Sequence, residues 1–259
     1  MTFLLRSAAC VIAFAGVHAH AGTQTYFGGT VLDANGQPIV GASVQAGHRF
    51  ARLFGDYTVD GQATTDAQGH YAITTLGGGD GSGNYVLVAR AAGRITMIYP
   101  HTACAMEPCP PIGFPPTVAV PNSAVDFHLY HPASISGHVR RTDTNGDVAG
   151  MSVTVGGQTT PLTTTTTNSA GDYFVGNLLP DSYVVQTGYG QVPDQYALLP
   201  QMYAGHDFDS VTGATPDLVL VSDAANVTGI DFALDLGGAI TGNVVSAIEI
   251  GRASCRERV

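Results

Sequence analysis

The chain alternates apolar and polar residues over short runs, and turn residues interrupt each run after a few positions. That period-two pattern is the signature of half-buried β-strands. The first run is Tyr26–Leu32, closed by the turn sequence Ala34-Asn35-Gly36-Gln37-Pro38. Val40–Val44 opens the next, and Tyr71–Thr74 and Tyr85–Ala89 follow on either side of the glycine-rich stretch Gly77–Gly83. Further along, the pattern predicts strands at Ile135–Arg140, Met151–Val155, Tyr173–Val175, Tyr183–Gln186, Leu218–Val221 and Ile230–Leu234.

The pattern repeats. Asp126-Phe127-His128-Leu129 returns as Asp231-Phe232-Ala233-Leu234, and Ile135-Ser136-Gly137-His138-Val139 returns as Ile240-Thr241-Gly242-Asn243-Val244, both at an offset of 105. Thr64-Thr65-Asp66-Ala67-Gln68-Gly69-His70-Tyr71 returns as Thr166-Thr167-Asn168-Ser169-Ala170-Gly171-Asp172-Tyr173 at an offset of 102. Gly29-Thr30-Val31 precedes Gly137-His138-Val139 by 108. Segments recurring in one order at nearly one offset define two complete repeats, 26–130 and 133–236, and the first strand of a third at 238–248. Each repeat is long enough to bury its own core, and the short joints at His131-Pro132 and Asp235–Gly238 imply stacking with limited freedom. About seven short strands per repeat is the pattern of a Greek-key sandwich.

Both ends stand apart from the repeats. Residues 1–21 combine Arg6, an apolar run from Ala8 to Val17 and the small-residue site Ala19-His20-Ala21, the form of a secretory signal peptide cleaved after Ala21. The apolar run is too short to span a bilayer, and Cys10 lies within it, which argues against a lipoprotein anchor. Residues 249–259 resemble the in-frame translation of a common sequencing adaptor and are set aside as an artefact. The natural product is therefore expected to continue past Ile248 with different residues.

Composition narrows the partners. Lysine is absent, and the core from Gly22 to Ile248 has six arginines against eighteen acids. Such a chain is a poor ligand for nucleic acid and for anionic lipid. Abundant glycine, threonine and valine, with few helix formers, favour an all-β exported protein.

The recurring residues resemble the carboxypeptidase regulatory-like domain family, a transthyretin-like (prealbumin-like) β-sandwich related to Cna-B modules. The first repeat carries the resemblance in Gly29-Thr30-Val31, Asp33–Pro38, Gly41-Ala42-Ser43-Val44, Thr65–Tyr71 and Gly83-Asn84-Tyr85. The second carries it in Gly137-His138-Val139, Gly150–Val153, Asn168–Tyr173 and Asn177–Tyr183. It departs from the pattern at Asn168, at Asp181-Ser182 and in the threonine-rich run Thr159–Thr167. The resemblance implies an all-β fold of tandem Greek-key sandwiches. It leaves function open, because the family hosts accessory, adhesive and binding roles alike. The Lys–Asn isopeptide bond found in related adhesin modules cannot form without lysine.

Candidate chemistry is sparse. Cys104 and Cys109 lie close together in an exported chain and are expected to form a disulfide. The alternative, a zinc site with His101, falls short of four regularly spaced ligands. His128, Tyr130, His131 and His138 form a loose cluster read as surface residues; Ala233 replaces His128 in the second repeat. Asp143-Thr144-Asn145-Gly146-Asp147 superficially matches a calcium loop, yet Val148 and Thr154 occupy the positions that need Gly and Glu. It aligns with the Asp33–Pro38 turn and is expected to be a hairpin, with weak calcium binding as the alternative.

No nucleophile, metalloprotease or phosphate-loop motif occurs, and neither catalytic residues nor cofactors are predicted. The expected role is a secreted, non-catalytic structural, presentation or binding module, placed in the periplasm, at the cell surface or outside the cell. Its partner would be an extracellular protein or a glycan, with no nucleic acid and no membrane insertion. One alternative is a carbohydrate-binding module using Tyr99, Tyr189, Tyr196 or Tyr203 in place of the absent tryptophan. The other is the accessory front of a larger enzyme or outer-membrane receptor.

Overall fold

The computed structural model describes residues 25–49, 57–77, 83–104, 116–158, 160, 162–188, 198–204, 206–207 and 216–238. All secondary structure among them is β. The first set of strands is β1 (Phe27–Asp33), β2 (Ser43–Arg49), β3 (Tyr57–Thr64), β4 (His70–Ile73), β5 (Asn84–Arg90), β6 (Met97–Ile98), β7 (Thr102–Ala103), β8 (Val118–Ala119) and β9 (Phe127–Leu129). The second is β10 (Ala133–Arg141), β11 (Ser152–Gly157), β12 (Thr163–Thr166), β13 (Asp172–Leu178), β14 (Asp181–Thr187), β15 (Gln201–Met202), β16 (His206–Asp207), β17 (Val219–Val221), β18 (Asn226–Val227) and β19 (Phe232–Leu234).

Each set makes two sheets. In the first, β4-β1-β9 faces β3-β2-β5-β6-β7, with β8 on β5. In the second, β13-β10-β18, with β19 also on β10, faces β12-β11-β14-β15-β16, with β17 on β14. The opening strand of each set pairs in parallel with its closing strand: Val31 with Phe127 and Val139 with Phe232. Inward positions fill the two cores. Phe27, Val31, Val44 and Leu87 are fully buried in the first, as are Ile135, Val139, Val153 and Val185 in the second.

The recurring sequence segments are the residues that set this geometry. Val125 crosses directly over Gly29, where an added Cβ would meet its carbonyl oxygen at 2.1 Å; Ile230 crosses Gly137 in the same way at 1.9 Å. The same two carbonyls accept the hydroxyls of Tyr71, at 2.7 Å, and Tyr173, at 2.6 Å. A buried carbonyl left unpaired is costly, so the glycine makes room for the crossing chain and the tyrosine satisfies it. Burial first, and a nearby aspartate second, push both phenols far above the ordinary tyrosine range.

Thr65 and Thr167 play a second shared part. Thr65 Oγ1 accepts from Ala42 N at 2.9 Å and donates to Ile39 O at 2.6 Å, while Thr167 Oγ1 accepts from Met151 N at 2.9 Å and donates to Val148 O at 2.5 Å. The next residue closes the following turn. Asp66 Oδ1 accepts from Gln68 N and His70 N, and Asn168 Oδ1 accepts from Ala170 N and Asp172 N, all at 2.8–3.0 Å. The turn needs a side-chain acceptor and no charge, which is why Asn168 replaces Asp without changing the fold.

Predicted strands fall where the pattern placed them, with bounds shifted by up to three residues, except that β2 runs five residues past Val44. Nine further strands appear among the described residues, including β3 and β12 at sheet edges. Val40 is not in a strand: it sits in the turn ahead of β2 and is 63% exposed.

Candidate functional site

The joint between the two sets of strands is three residues long, Tyr130-His131-Pro132, and polar contacts hold it from both sides. On the first side, Ile95 N donates to Tyr130 O at 2.8 Å, and Arg94 Nη1 donates to Leu129 O at 3.0 Å. Arg94 Nη2 also lies 3.9 Å from Asp33 Oδ2. The Asp33 carboxyl is held below the usual range by the Gln37 and Asn35 amides that cap its turn, with Arg94 adding to the effect.

On the second side, Asp223 grips His131 twice. His131 N donates to Asp223 Oδ1 at 2.6 Å, and His131 Nδ1 lies 2.9 Å from Asp223 Oδ2. Asp223 stands in the turn Ser222–Ala225, which Ala224 closes with a left-handed φ of 60°. Ser134 N then donates to Ala225 O at 2.9 Å, fixing the start of β10. Burial, and then the nearby Asp223 charge, raise the Tyr130 phenol. Leu179, in the turn between β13 and β14, is only 9% exposed and belongs to the hydrophobic cluster of the first set of strands. The joint is therefore crossed by an apolar side chain as well as spanned by the backbone.

The residues singled out from sequence are scattered by comparison. His128 sits on β9 between the buried Phe127 and Leu129 and is half-buried itself. His131 joins the suture just described, and His138 lies on β10. There His138 Nδ1 meets Asp172 Oδ1 at 3.0 Å and Nε2 meets Asp147 Oδ1 at 3.2 Å. The hydrogen bond to Asp172 first, and the charges of both carboxylates next, raise the imidazole pKa.

The Asp143–Asp147 segment is a hairpin turn: Arg141 N donates to Gly146 O at 2.9 Å, and Asn145 takes a left-handed φ of 55°. Arg141 forks onto Asp143 through Nε at 2.9 Å and Nη2 at 2.6 Å, holding that carboxyl at about 2. Both Asp143 oxygens are thus engaged by a guanidinium, and Asp147 Oδ1 contacts His138 Nε2. No group of three or more metal-ligating side chains is gathered among the described residues. No helix among them is long and apolar enough to cross a membrane.

Tyr99 and Tyr203 are half-buried. Their rings pack edge-on against Phe127 and Phe232, at 5.9 and 6.4 Å between centroids. Tyr189 and Tyr196 lie outside the described residues, as do the signal-like segment 1–21, residues 239–259 and Cys109. Cys104 is half-buried at the end of β7, against the small cluster of Val86, Val88 and Ile98.

Sequence reasoning missed the His48–Asp60 pair, whose side chains are 5% and 4% exposed and in direct contact through Nδ1 and Oδ2. Strand β3, which carries Asp60, was not foreseen, so nothing signalled the pairing. It also missed Asp223 and Leu179, whose partners lie 92 residues away or in the other repeat. A shallow hollow of about 390 Å³ lies over Gly28 and Gly29, rimmed by Thr30, His70, Ser123 and Asp126. Thr30 spends its hydroxyl and amide on Asp126 Oδ1, at 2.8 and 2.7 Å.

Fold and joint together define an all-β protein of paired sandwiches in series. No family model matches the chain, and no curated protein matches it. Among solved structures it is similar to the Bacillus anthracis TIE protein, at 9% identity and a TM-score of 0.32, over 82% of this chain and 34% of that one. A streptococcal ancillary pilin overlaps at 13% identity and TM-score 0.33, over 85% of this chain and 64% of the other. GBS52, the minor pilin of Streptococcus agalactiae, overlaps at 13% identity and TM-score 0.33, over 86% of this chain and all of the other. The chain thus spans about a third and under two thirds of the first two proteins.

Proposed function

We propose that the chain is a non-catalytic, exported spacer built of carboxypeptidase regulatory-like sandwiches in tandem, holding whatever it presents at a fixed distance. The observation that carries this reading is the joint, where His131 is held by Asp223 through both backbone and ring and Leu179 enters the neighbouring core. A binding module on a tether needs none of this. A spacer does, because each free hinge would shorten its mean reach. The Cys104–Cys109 disulfide and export through the 1–21 segment belong to the same reading. An acidic, lysine-free surface fits solubility outside the cell and low affinity for nucleic acid.

The test is the distance between two spin labels, one at Thr58 in the first module and one at Leu220 in the second. A narrow distribution that broadens in Asp223→Ala supports the spacer. An equally broad distribution in both chains would overturn it.

A further inference from the structure

Among the described residues, strand β12 (Thr163–Thr166) is the outermost strand of its sheet, paired on one side only with β11. In an antiparallel ladder every second residue turns its N–H and C=O away from the existing partner. A free row of this kind is a template for another strand unless it is guarded by charge, proline, a bulge or shortness. Several other edges carry such guards. Strand β3 includes Asp60, at a register shift against Ala46 and Gly47 of β2, β13 begins with Asp172, and β7 and β16 are two residues long. Strand β12 has four residues, all threonine, and none of these guards.

The surface beside it is uncharged too. Thr163, Thr164 and Thr166 are exposed, as is the neighbouring Leu162 at 63%, while Ser152 and Thr154, the β11 partners of Thr166 and Thr164, are buried. In a chain of net charge −10, a wholly uncharged edge strand stands out.

We infer that β12 is a strand-addition site for a second copy of this chain, joined β12 to β12 in antiparallel fashion about a twofold axis. Three observations favour a second copy over a different partner. A threonine-only strand is self-complementary in any register. The protein already makes the same pairing internally, where Thr154 Oγ1 and Thr164 Oγ1 lie 3.2 Å apart across the β11–β12 ladder. Two acidic copies can approach closely only where neither carries charge, whereas a cationic partner would find nothing on this edge to recognise. The contact is small, below the ~1,200 Å² of standard interfaces, so the dimer is weak and reversible. It would link spacers side by side, which goes beyond the spacer reading and does not depend on it.

Sedimentation velocity of the full chain over a range of concentrations and salt tests this. The expected result is a monomer–dimer equilibrium that strengthens as salt screens the net acidic charge. The doubly substituted Thr164→Lys, Thr166→Lys chain, both positions being exposed, should associate at least about tenfold more weakly with an unchanged thermal melt. Hydrogen exchange supplies the second readout: amides of 163–166 should gain protection with concentration in the parent chain only. A chain that stays monomeric throughout overturns the proposal. So does a dimer that survives the lysines, or one that forms while the 163–166 amides remain unprotected.

Discussion

Replacing Leu179 with alanine tests whether the two sandwiches are one mechanical unit. Leu179 belongs in sequence to the second module, yet its side chain is 9% exposed within the first module's cluster. Truncating a buried leucine costs about 2–5 kcal/mol in a closed core. A seam between two modules can relax more than a core, so the lower end of that range, about 2 kcal/mol, is expected. If roughly half of it falls on the first module, opening there becomes easier by ~1 kcal/mol and amide exchange about fivefold faster. The assay is native-state hydrogen exchange on the full chain, read separately over 27–129 and 133–234. Faster exchange in strands β1, β5 and β9 is the diagnostic outcome, because no residue there has been changed. If only amides of 133–234 speed up, Leu179 serves its own module and the joint is not coupled.

Other outcomes follow from the same structure. Thr167→Val keeps the shape but strands Met151 N and Val148 O, and should cost about 2–4 kcal/mol in urea unfolding; a loss under 1 kcal/mol would mean water replaces the hydroxyl. Asn168→Asp should leave stability nearly unchanged, whereas Asn168→Ala should cost ~1 kcal/mol, since the turn needs an acceptor. His138, raised by Asp172, stabilises fully below its unfolded pKa of ~6.5 and loses that contribution as pH rises through the higher folded value. An NMR titration of His138 at or below the free-imidazole value would refute this. Reduction of the exported protein should add the mass of two hydrogens and free Cys104 and Cys109 for alkylation; free thiols before reduction would refute the pairing.

What was legible in the sequence was what the fold repeats. Gly29 and Gly137, Tyr71 and Tyr173, Thr65 and Thr167 each solve a local steric or hydrogen-bonding problem, so each recurs at the repeat offset. Edge strands β3 and β12 were not legible. Strand β3 mixes glycine and aspartate and β12 is all threonine, because an edge strand with one open side needs no strict apolar alternation. The joint was legible only as a short linker. Asp223 and Leu179 act on residues far away in the chain, and neither stands in a pattern that announces its partner.

The parallel pairing of first and last strands has a consequence under tension. In each module the chain enters on a strand that lies beside the exit strand and points the same way, with Val31, Leu32 and Asp33 opposite Phe127, His128 and Leu129. A pull on the two ends draws these neighbours past each other lengthwise. Their cross-links are then loaded all at once in shear, where an antiparallel hairpin pulled at its ends would unzip one link at a time. The second module repeats the arrangement with Val139, Arg140 and Arg141 against Phe232, Ala233 and Leu234. Each module therefore carries its own clamp in series with the next.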